Sequence, residues 1–339
     1  MAKKITIKDV AKKVGVTATT VSMVINNNPS IPQRTREKVL SAIKELNYYP
    51  NIAARSLVYG KTNTIALFAD FLYPLFYQQI LSGIEHRIAA TPYYVLHFSA
   101  FREETARDDI FRKILYGNVA DGLISLNRIP SAELLVAYRK EKFPLVIIEQ
   151  DVPGVNSVVC DNFRGGYLAT DYLIRKGRRN ICCIAALSDD LRGGSDVQVK
   201  RIDGYKSALE DHGLSYQPDN VIDIPNFYFD AGKQCYRDVL KKRKAIDAVF
   251  SAAGDAIAIG VMHAALGEKV KIPDDLAIIG YDDLEVDSFI HPALTTIRQP
   301  GSQMGSKAIE IALSSLDENR ENNVHKVVFE PELIERESV

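Results

Sequence analysis

Between residues 62 and 292, short apolar runs alternate with longer stretches of helical pattern. The run "TIALFAD" precedes "PLFYQQILSGIEHRIAA", and "DGLISL" precedes "SAELLVAYRKE". Strands that alternate with helices are typical of parallel, doubly wound sheets. The series is too long for one open sheet, so we expect two subdomains. Because such sheets bind ligands at the carboxyl ends of their strands, two facing sheets predict a ligand cleft between them.

The first sixty residues have a different pattern, which predicts three short helices. "TIKD" is a capping box, in which Thr6 caps a helix and Asp9 returns to the Thr6 amide. Gly15 ends this helix, and Thr17 is the expected N-cap of a second one. A third helix is expected from about residue 32 to residue 46. The second helix should turn three apolar side chains inward, namely Val21, Val24 and Ile25.

This segment is also the basic part of the chain. Residues 1–61 hold eleven lysines and arginines against three acidic residues, although the whole chain has a formal net charge of −1. A basic three-helix module with a tight turn favours a helix-turn-helix that binds a polyanion, with its second helix in the DNA major groove. The residues leave two alternatives open, a three-helix protein-interaction domain and a solvated basic tail.

Composition narrows the class of protein. The chain is 46% hydrophobic and 25% charged, as in globular proteins, and no apolar run reaches the length of a membrane span. No apolar segment follows the N-terminal lysines, which argues against a secretory signal. We therefore expect a cytoplasmic protein with no membrane partner. The four cysteines lack zinc-type spacing and are expected to be free thiols: Cys160, Cys182, Cys183 and Cys235.

The segment after the three helices, "YYPNIAARSLVYGKT", is short and only slightly apolar. Pro50 should stop the third helix, and Asn51 can cap a new one. One or two helical turns are marginal on their own. The segment is therefore either a linker or a hinge that folds when a partner stabilises it.

Together these features resemble the lactose-repressor (LacI/GalR) family. Matching stretches near the N-terminus are "TIKDVAKKVG", "TVSMVIN", "TREKV", "LNYYPN" and "ARSL". Matching stretches in the rest of the chain are "RIDGYKSAL", "DAVFSAAGDAIAIGVM", "IPDDLAIIGYDD" and "HPALTTIRQP". The resemblance covers essentially the whole chain. It implies a transcriptional regulator, a repressor, that acts as a homodimer on double-stranded operator DNA.

The resemblance also implies a domain organisation. A small all-α helix-turn-helix headpiece would span residues 1–47, a hinge helix or linker residues 48–61, and an α/β core residues 62–339. The core would share the fold of periplasmic sugar-binding proteins, with two doubly wound parallel-sheet subdomains. The expected N-subdomain contains about residues 62–161 and 293–323, and the expected C-subdomain contains about residues 162–292 and 324–339.

Residue by residue, the resemblance assigns DNA contacts to the second helix and to the hinge. Ala18, Thr19 and Met23 occupy positions that contact bases, and many members have arginine where this chain has Met23. Methionine offers a base only apolar contact, for example with a thymine methyl group. The positions that contact phosphates are Thr17, Thr20, Ser22 and Asn26. The positions of the minor-groove hinge, with Leu57 as an apolar wedge, are Asn51, Ala54, Arg55 and Leu57.

In the core, the resemblance implies a cleft for a small-molecule effector of carbohydrate-like chemistry. Arg201 and Asp282 stand at positions that bind the effector in the family, and a guanidinium and a carboxylate suit sugar hydroxyls. The other matching positions are Phe76, Glu149, Asp161 and Phe227. An ion pair or core packing is the alternative role for each. Gly254 stands where many members have asparagine, and Ala256 stands where some have another amide. These departures predict a larger effector, a more apolar one, or one bound through water.

No enzyme or metal motif competes with this interpretation. The sequence contains no HExxH, P-loop, GxSxG or GxGxxG motif, and its six histidines are isolated. We therefore expect no catalytic residues, no metal and no cofactor. Two alternatives stay open, a cytoplasmic sugar-binding protein and an α/β enzyme fused to a DNA-binding domain.

Overall fold

The computed structural model of the chain describes residues 5–49, 60–70, 75–100, 104–187, 197–317 and 323–339. The chain divides into two compact units, residues 1–62 and residues 63–339. The predicted hinge residues lie outside the described ranges: Asn51, Ala54, Arg55 and Leu57.

The described part of the first unit consists of three helices, α1 (Ile7–Val14), α2 (Ala18–Ile25) and α3 (Gln33–Glu45). At the start of α1, the Asp9 carboxylate accepts hydrogen bonds from the Thr6 backbone N–H at 2.9 Å and from the Thr6 hydroxyl at 2.7 Å. Gly15 follows α1 with a φ of 75°, a conformation that glycine adopts without steric cost. Local chemistry therefore sets the turn between α1 and α2.

Packing of apolar side chains holds the three helices together. Val10, Val21, Val24 and Val39 are at most 1% exposed. Burying such a side chain is worth about 1.5–3 kcal/mol. An ion pair between Lys13 and Glu45, at 2.6 Å, also joins α1 to α3, but an exposed pair contributes about 1 kcal/mol at most. The valine core is therefore the main source of stability in this unit.

The second unit alternates helices with strands along most of its length, as the sequence predicts. The strands are β1 (Thr64–Phe68), β2 (Tyr94–Phe98), β3 (Gly122–Leu126), β4 (Leu145–Ile148), β5 (Asn156–Cys160), β6 (Ile181–Ala185), β7 (Val221–Asp223), β8 (Ala248–Ser251), β9 (Ala277–Asp282), β10 (Thr295–Arg298), β11 (Lys326–Phe329) and β12 (Glu332–Ile334). The helices are α4 (Leu75–Ile88), α5 (Glu104–Tyr116), α6 (Ala132–Lys140), α7 (Asn162–Arg175), α8 (Val197–Asp211), α9 (Phe229–Asp238), α10 (Asp255–Gly267) and α11 (Gly301–Ser314).

These strands form two sheets. The first has the order β11-β5-β4-β3-β1-β2 and is parallel throughout its described pairs. The second has the order β12-β10-β9-β8-β6-β7 and is parallel except where β12 pairs with β10 at its edge. The predicted fold class, an all-α headpiece and a core of two doubly wound sheets, is confirmed.

The two places where the chain returns from one sheet to the other differ from the expected boundaries. Residues 295–298, expected in the N-subdomain, form β10 beside β9 of the second sheet, with Thr295 opposite Ile279. Residues 326–329, expected in the C-subdomain, form β11 beside β5 of the first sheet. Hydrogen-bonded pairing decides which sheet a strand joins, and the sequence of a short strand does not encode its neighbour.

After β10 the chain crosses back from the second sheet to the first, and close helix packing holds this crossing in place. Helix α11 follows β10 and packs beside α4, with glycines at the contact. A Cβ on Gly83 of α4 would lie 1.9 Å from the Ser302 carbonyl oxygen, and one on Gly305 would lie 2.0 Å from the Ile80 carbonyl oxygen. The two backbones can approach this closely only because both positions lack a side chain. In the ranges that the structure describes, every helix is too short or too polar to cross a lipid bilayer.

Candidate functional site

The outward face of α2 is small, polar and uncharged. Val21 and Val24 point into the core, which leaves Met23 38% exposed and Thr19 exposed on the opposite face. Helix α2 contains no acidic or basic residue in its first or last turn. Such a face does not repel phosphate, and its contacts with base edges would be made by methyl, thioether and hydroxyl groups.

Hydroxyl and amide groups at the two ends of α2 are already oriented. The Thr20 backbone N–H donates to the Thr17 hydroxyl oxygen at 3.1 Å, and the two hydroxyls lie 2.9 Å apart. At the other end, the Asn26 amide donates to the Ser22 carbonyl oxygen at 2.9 Å. The four predicted phosphate-contacting residues therefore lie in one helix and its caps.

One residue that the sequence reasoning missed organises the end of this helix. Arg36 of α3 donates to the Asn27 side-chain oxygen at 3.2 Å and to the Asn28 carbonyl oxygen at 2.6 Å. The Asn28 side chain in turn accepts the Ser30 hydroxyl at 2.7 Å. These bonds fix the loop that follows α2 to α3. The asparagine run before Pro29 was the available signal, because asparagine side chains commonly stabilise turns.

The second unit contains a cavity of about 160 Å³, lined by residues from both sheets and their helices. This volume suits a ligand of several heavy atoms and not a single water. It lies where the strands of both sheets end, the usual ligand position in open α/β folds. The predicted effector residues that line it are Phe76, Glu149, Arg201, Phe227 and Asp282.

Asp161 is the exception among the predicted effector residues. It is the N-cap of α7, and its carboxylate accepts the Arg164 backbone N–H at 2.9 Å. It is not among the residues that line the cavity. The sequence placed Asp161 correctly after a strand, but the carboxylate turns back to satisfy the open amides of the next helix.

Arg201 is held rigidly on α8. It is 3% exposed, its Nε donates to Asn162 Oδ1 at 2.8 Å, and Nη1 donates to the Ala252 carbonyl oxygen at 2.7 Å. Its guanidinium lies 3.6 Å from the centroid of the Tyr281 ring. These neutral partners fix the side chain without neutralising its charge, so the charge is available to groups in the cavity.

Two carboxyl groups of the cavity, those of Glu149 and Asp282, interact electrostatically with the Arg201 guanidinium. Glu149 follows β4, and its Oε2 accepts the Tyr77 hydroxyl at 3.0 Å. Burial raises the pKa of Glu149 to about 7, although Arg201 and the Tyr77 bond oppose the shift. Burial also raises the pKa of Asp282 to about 6, again against the effect of Arg201. Both residues have positive φ, 72° and 118°, so backbone strain is located at this site.

Aromatic and further polar residues complete the cavity wall. Phe76 of α4 is buried and Phe227 is half-buried, as expected for rings that stack on a ligand. The sequence reasoning missed other residues of the wall, including Asp70, Tyr77, Asn127, Arg128 and Gln198. The signal was present, because Asp70, Asn127 and Arg128 follow β1 and β3 just as Glu149 follows β4.

The buried pair of Asp70 and Arg128 forms one end of this wall. Arg128 Nε donates to Asp70 Oδ2, and Arg107 Nε lies 3.3 Å from Asp70 Oδ1. Two guanidinium groups therefore share one carboxylate at the carboxyl ends of β1 and β3. Sequence separation hid this arrangement, since Asp70 and Arg128 are 58 residues apart.

Gly254 explains one departure from the family pattern. Its φ is 110°, and a Cβ at this position would lie 2.9 Å from Asp282 Oδ2. A side chain here would displace the Asp282 carboxylate. Glycine therefore allows Asp282 to lie against the wall of the cavity, at the expense of an amide that could contact a ligand.

The described part of the chain holds no group of three or more histidine, cysteine, aspartate or glutamate side chains placed to bind a metal ion. All four cysteines are buried and free of disulfide bonds. Burial raises the pKa of the Cys160 thiol to about 12, so it is not a reactive thiolate near neutral pH.

Comparison with protein families gives two matches. Residues 6–51 match the family described as bacterial regulatory proteins, lacI family. Residues 170–339 match the family described as periplasmic binding protein-like domain. The first match contains the three helices, and the second contains all six strands of the second sheet.

Whole-chain comparison extends both matches. The chain is 34% identical to the HTH-type transcriptional regulator DegA of Bacillus subtilis (strain 168), over 99% of this chain and 98% of that protein. It is 34% identical to the ribose operon repressor of Escherichia coli (strain K12), over 91% and 92% of the two chains. A solved complex of the transcriptional regulator CelR with cellobiose has a TM-score of 0.72 and 29% identity, over 99% of this chain and 100% of that one.

Proposed function

The chain belongs to the lacI family of bacterial regulatory proteins, and on this premise we propose that it represses transcription under the control of a small molecule bound in its cavity. One observation carries the proposal. The same chain presents an uncharged helix face suited to a DNA groove and a cavity that joins charged side chains from two sheets. The first part recognises DNA, and the second part senses the effector.

We assign base contacts to Ala18, Thr19 and Met23. Among these side chains only Thr19 carries a hydroxyl, so two of the three positions contribute apolar contact alone. Apolar contacts favour thymine methyl groups, whereas arginine at the position of Met23 would favour guanine. The contacts with phosphates are assigned to Thr17, Thr20, Ser22 and Asn26, which fix the register of the helix on the duplex.

Minor-groove contacts are assigned to the segment around Leu57, with Asn51, Ala54 and Arg55. An apolar wedge in the minor groove kinks the duplex and makes affinity depend on the deformability of the base step. Two such segments act together if the protein is a dimer, as the family resemblance implies. A dimer predicts an operator of two roughly palindromic half-sites.

For the cavity we propose a carbohydrate-like effector. Arg201 donates to hydroxyl oxygens, Asp282 and Glu149 accept from hydroxyl groups, and Phe76 and Phe227 contact the apolar face of a sugar ring. The relative CelR is known in complex with cellobiose, which supports this class of ligand. Because Asp161 caps α7, it is not part of this assignment.

Regulation follows from thermodynamic linkage between the two sites. An effector that binds one arrangement of the sheets more tightly shifts the population toward that arrangement. If the two arrangements differ in operator affinity, effector and operator change each other's affinity by the same factor. The coupling in such systems is typically about 1–3 kcal/mol, or about 5- to 150-fold in affinity.

We propose a cytoplasmic regulator without enzymatic activity. The relatives are transcriptional regulators, and DNA binding requires the compartment that contains DNA. A sugar-binding protein without DNA affinity and an α/β enzyme with a fused DNA-binding domain are the two competing functions. Salt-dependent binding to a selected operator would exclude the sugar-binding protein without DNA affinity. Turnover of a bound sugar would favour the enzyme.

The test begins with the full-length protein and a library of random duplex DNA. Repeated selection should enrich a palindromic sequence, and its affinity should fall steeply as salt is increased. A thermal-shift screen of unphosphorylated sugars, including ribose and cellobiose, should then identify a compound that binds the protein. That compound should change the affinity of the protein for the selected operator. Failure to enrich any sequence, or binding that does not respond to salt, would contradict the proposal.

A further inference from the structure

We propose that Gln299 and Gln79 form an amide clamp that positions Asp282 and couples it to the helix pair α4 and α11. The clamp consists of these two side chains alone. The inference deepens the proposed function, since it rests on Asp282 being an effector contact. It assigns regulatory roles to both residues. Gln299 contacts the Asp282 carboxylate, and Gln79 contacts the backbone of the adjacent Asp283.

Gln299 controls the orientation of the Asp282 carboxylate. Its Nε2 donates to Asp282 Oδ1 at 2.8 Å, and the side chain is 1% exposed. The other carboxylate oxygen, Oδ2, lies beside Gly254 in the cavity wall. The bond to Gln299 therefore leaves one oxygen of Asp282 for a ligand, and it lowers the pKa of Asp282 against the effect of burial.

Gln299 also lies at a crossover between the two sheets. It directly follows β10 of the second sheet and precedes Pro300 and α11, which packs beside α4. The Gly301 backbone N–H donates to the Gln299 carbonyl oxygen at 2.8 Å. A movement of the Asp282 carboxylate is thus passed, through one amide and one tight turn, to the first turn of α11.

Gln79 makes the second connection from the same helix pair. Its Nε2 donates to the carbonyl oxygen of Asp283 at 3.0 Å. A Cβ on Gly301 would lie 2.9 Å from both Gln79 Cβ and Phe76 Cε2, so the start of α11 packs directly on α4. The backbone of Asp283 and the Phe76 ring, which lines the cavity, are therefore both connected to the contact between α4 and α11.

Gln299 also has a hydrogen-bonding atom that its bond to Asp282 does not use. Its Oε1 is buried and has no hydrogen-bond partner within the described ranges of the chain. An unsatisfied buried acceptor is costly, so any arrangement that supplies a donor is favoured when it becomes accessible. An element with two discrete arrangements is what coupling between distant sites requires.

Hydrogen exchange in the full-length protein, without effector or operator, tests the clamp. Asp282→Ala removes the carboxylate and should loosen the clamp, so amides in residues 76–83 and 301–305 should exchange about two- to thirtyfold faster. In a Gln299→Met background, the same Asp282→Ala change should have no further effect on these amides. Gln303→Met, the same kind of change at an exposed position of α11, is the matched control and should preserve the response.

Two results would overturn the proposal. The first is an Asp282→Ala variant that leaves exchange in both segments unchanged, and the second is an equal response with and without Gln299→Met. A purely structural role predicts additive effects and hence the second result. If Gln299→Met does not fold, Gln79→Met supplies a parallel test, since it removes the other bond of the clamp, the one to the Asp283 carbonyl. Since neither DNA nor a sugar is present, the outcome is independent of the operator selection that tests the proposed function.

Discussion

The outward face of α2 and the cavity of the second unit are both candidate binding surfaces, but they are assembled in opposite ways. The α2 surface comes from ten consecutive residues, Thr17 to Asn26, and contains no charge. The cavity brings Glu149, Arg201 and Asp282 together from three distant parts of the chain and buries their charges. The first surface carries no charge that would repel a phosphate. In the second, burial and the charge of Arg201 together set the pKa values of Glu149 and Asp282.

The largest predicted effect tests whether the two surfaces are independent. Val24→Asp places a charge in the core of the first unit, which should cost about 4–5 kcal/mol and unfold these helices. Operator affinity should fall more than about a hundredfold, which corresponds to about 2.7 kcal/mol. Circular dichroism and the thermal transition of the second unit should show that it remains folded.

Val136→Asp is the matched control for this prediction. It makes the same substitution at a valine of α6 that is 63% exposed, and it should change neither operator affinity nor stability appreciably. Loss of the second unit's transition in Val24→Asp would show that the two units do not fold independently.

The next prediction concerns the charge in the cavity. Arg201→Ala removes the donor to the Ala252 carbonyl and one of the two donors to Asn162 Oδ1, which keeps only the Tyr281 hydroxyl. It also removes the charge that lowers the pKa of Glu149 and Asp282. We expect a loss of about 3–5 kcal/mol in the free energy of unfolding of the second unit, measured by urea denaturation at pH 7.5. Arg164→Ala, at an exposed position, is the control. An equal loss of stability in this variant would show that the effect of Arg201→Ala does not depend on its position in the cavity.

A smaller effect should appear in the dependence of stability on pH. The pKa of Glu149 is raised from its ordinary value of 4.5 to about 7, so the folded protein holds this proton more tightly than the unfolded chain does. Its contribution is fully present below pH 4.5 and is lost as pH rises through 7, up to about 3 kcal/mol. Glu149→Gln should therefore be more stable than wild type at pH 8 and similar to it at pH 4.5. Parallel pH profiles for the two proteins would refute the assignment.

The smallest predicted effect sharpens the description of the α2 face. Met23→Arg should shift the selected operator toward guanine at one position in each half-site, by about 1–3 kcal/mol of discrimination. Selection from random DNA measures this preference directly. Met23→Leu keeps the apolar contact and should select the wild-type operator. An unchanged operator in Met23→Arg would mean that Met23 does not face the bases.

Much of the fold was predictable from the sequence because its signals are local. The capping box at Thr6, the turn at Gly15 and the valine stripe of α2 are each set within a few residues. The alternation of strands and helices predicted two sheets for the same reason. The sequence did not show which sheet β10 and β11 join, since each acquires its place only through pairing with a strand that is not its neighbour along the chain.

For the binding surfaces, the sequence by itself determined which residue types are available and which face of α2 is exposed. Only the tertiary structure decided that Asp161 caps a helix, that Gly254 makes room for Asp282, and that Asp70 and Arg128 share one wall. It also decided the pKa of Glu149, because burial and the charge of Arg201 arise from residues far apart in the chain. Periodicity and capping act over a few residues, whereas desolvation and charge pairing depend on distances that exist only after folding.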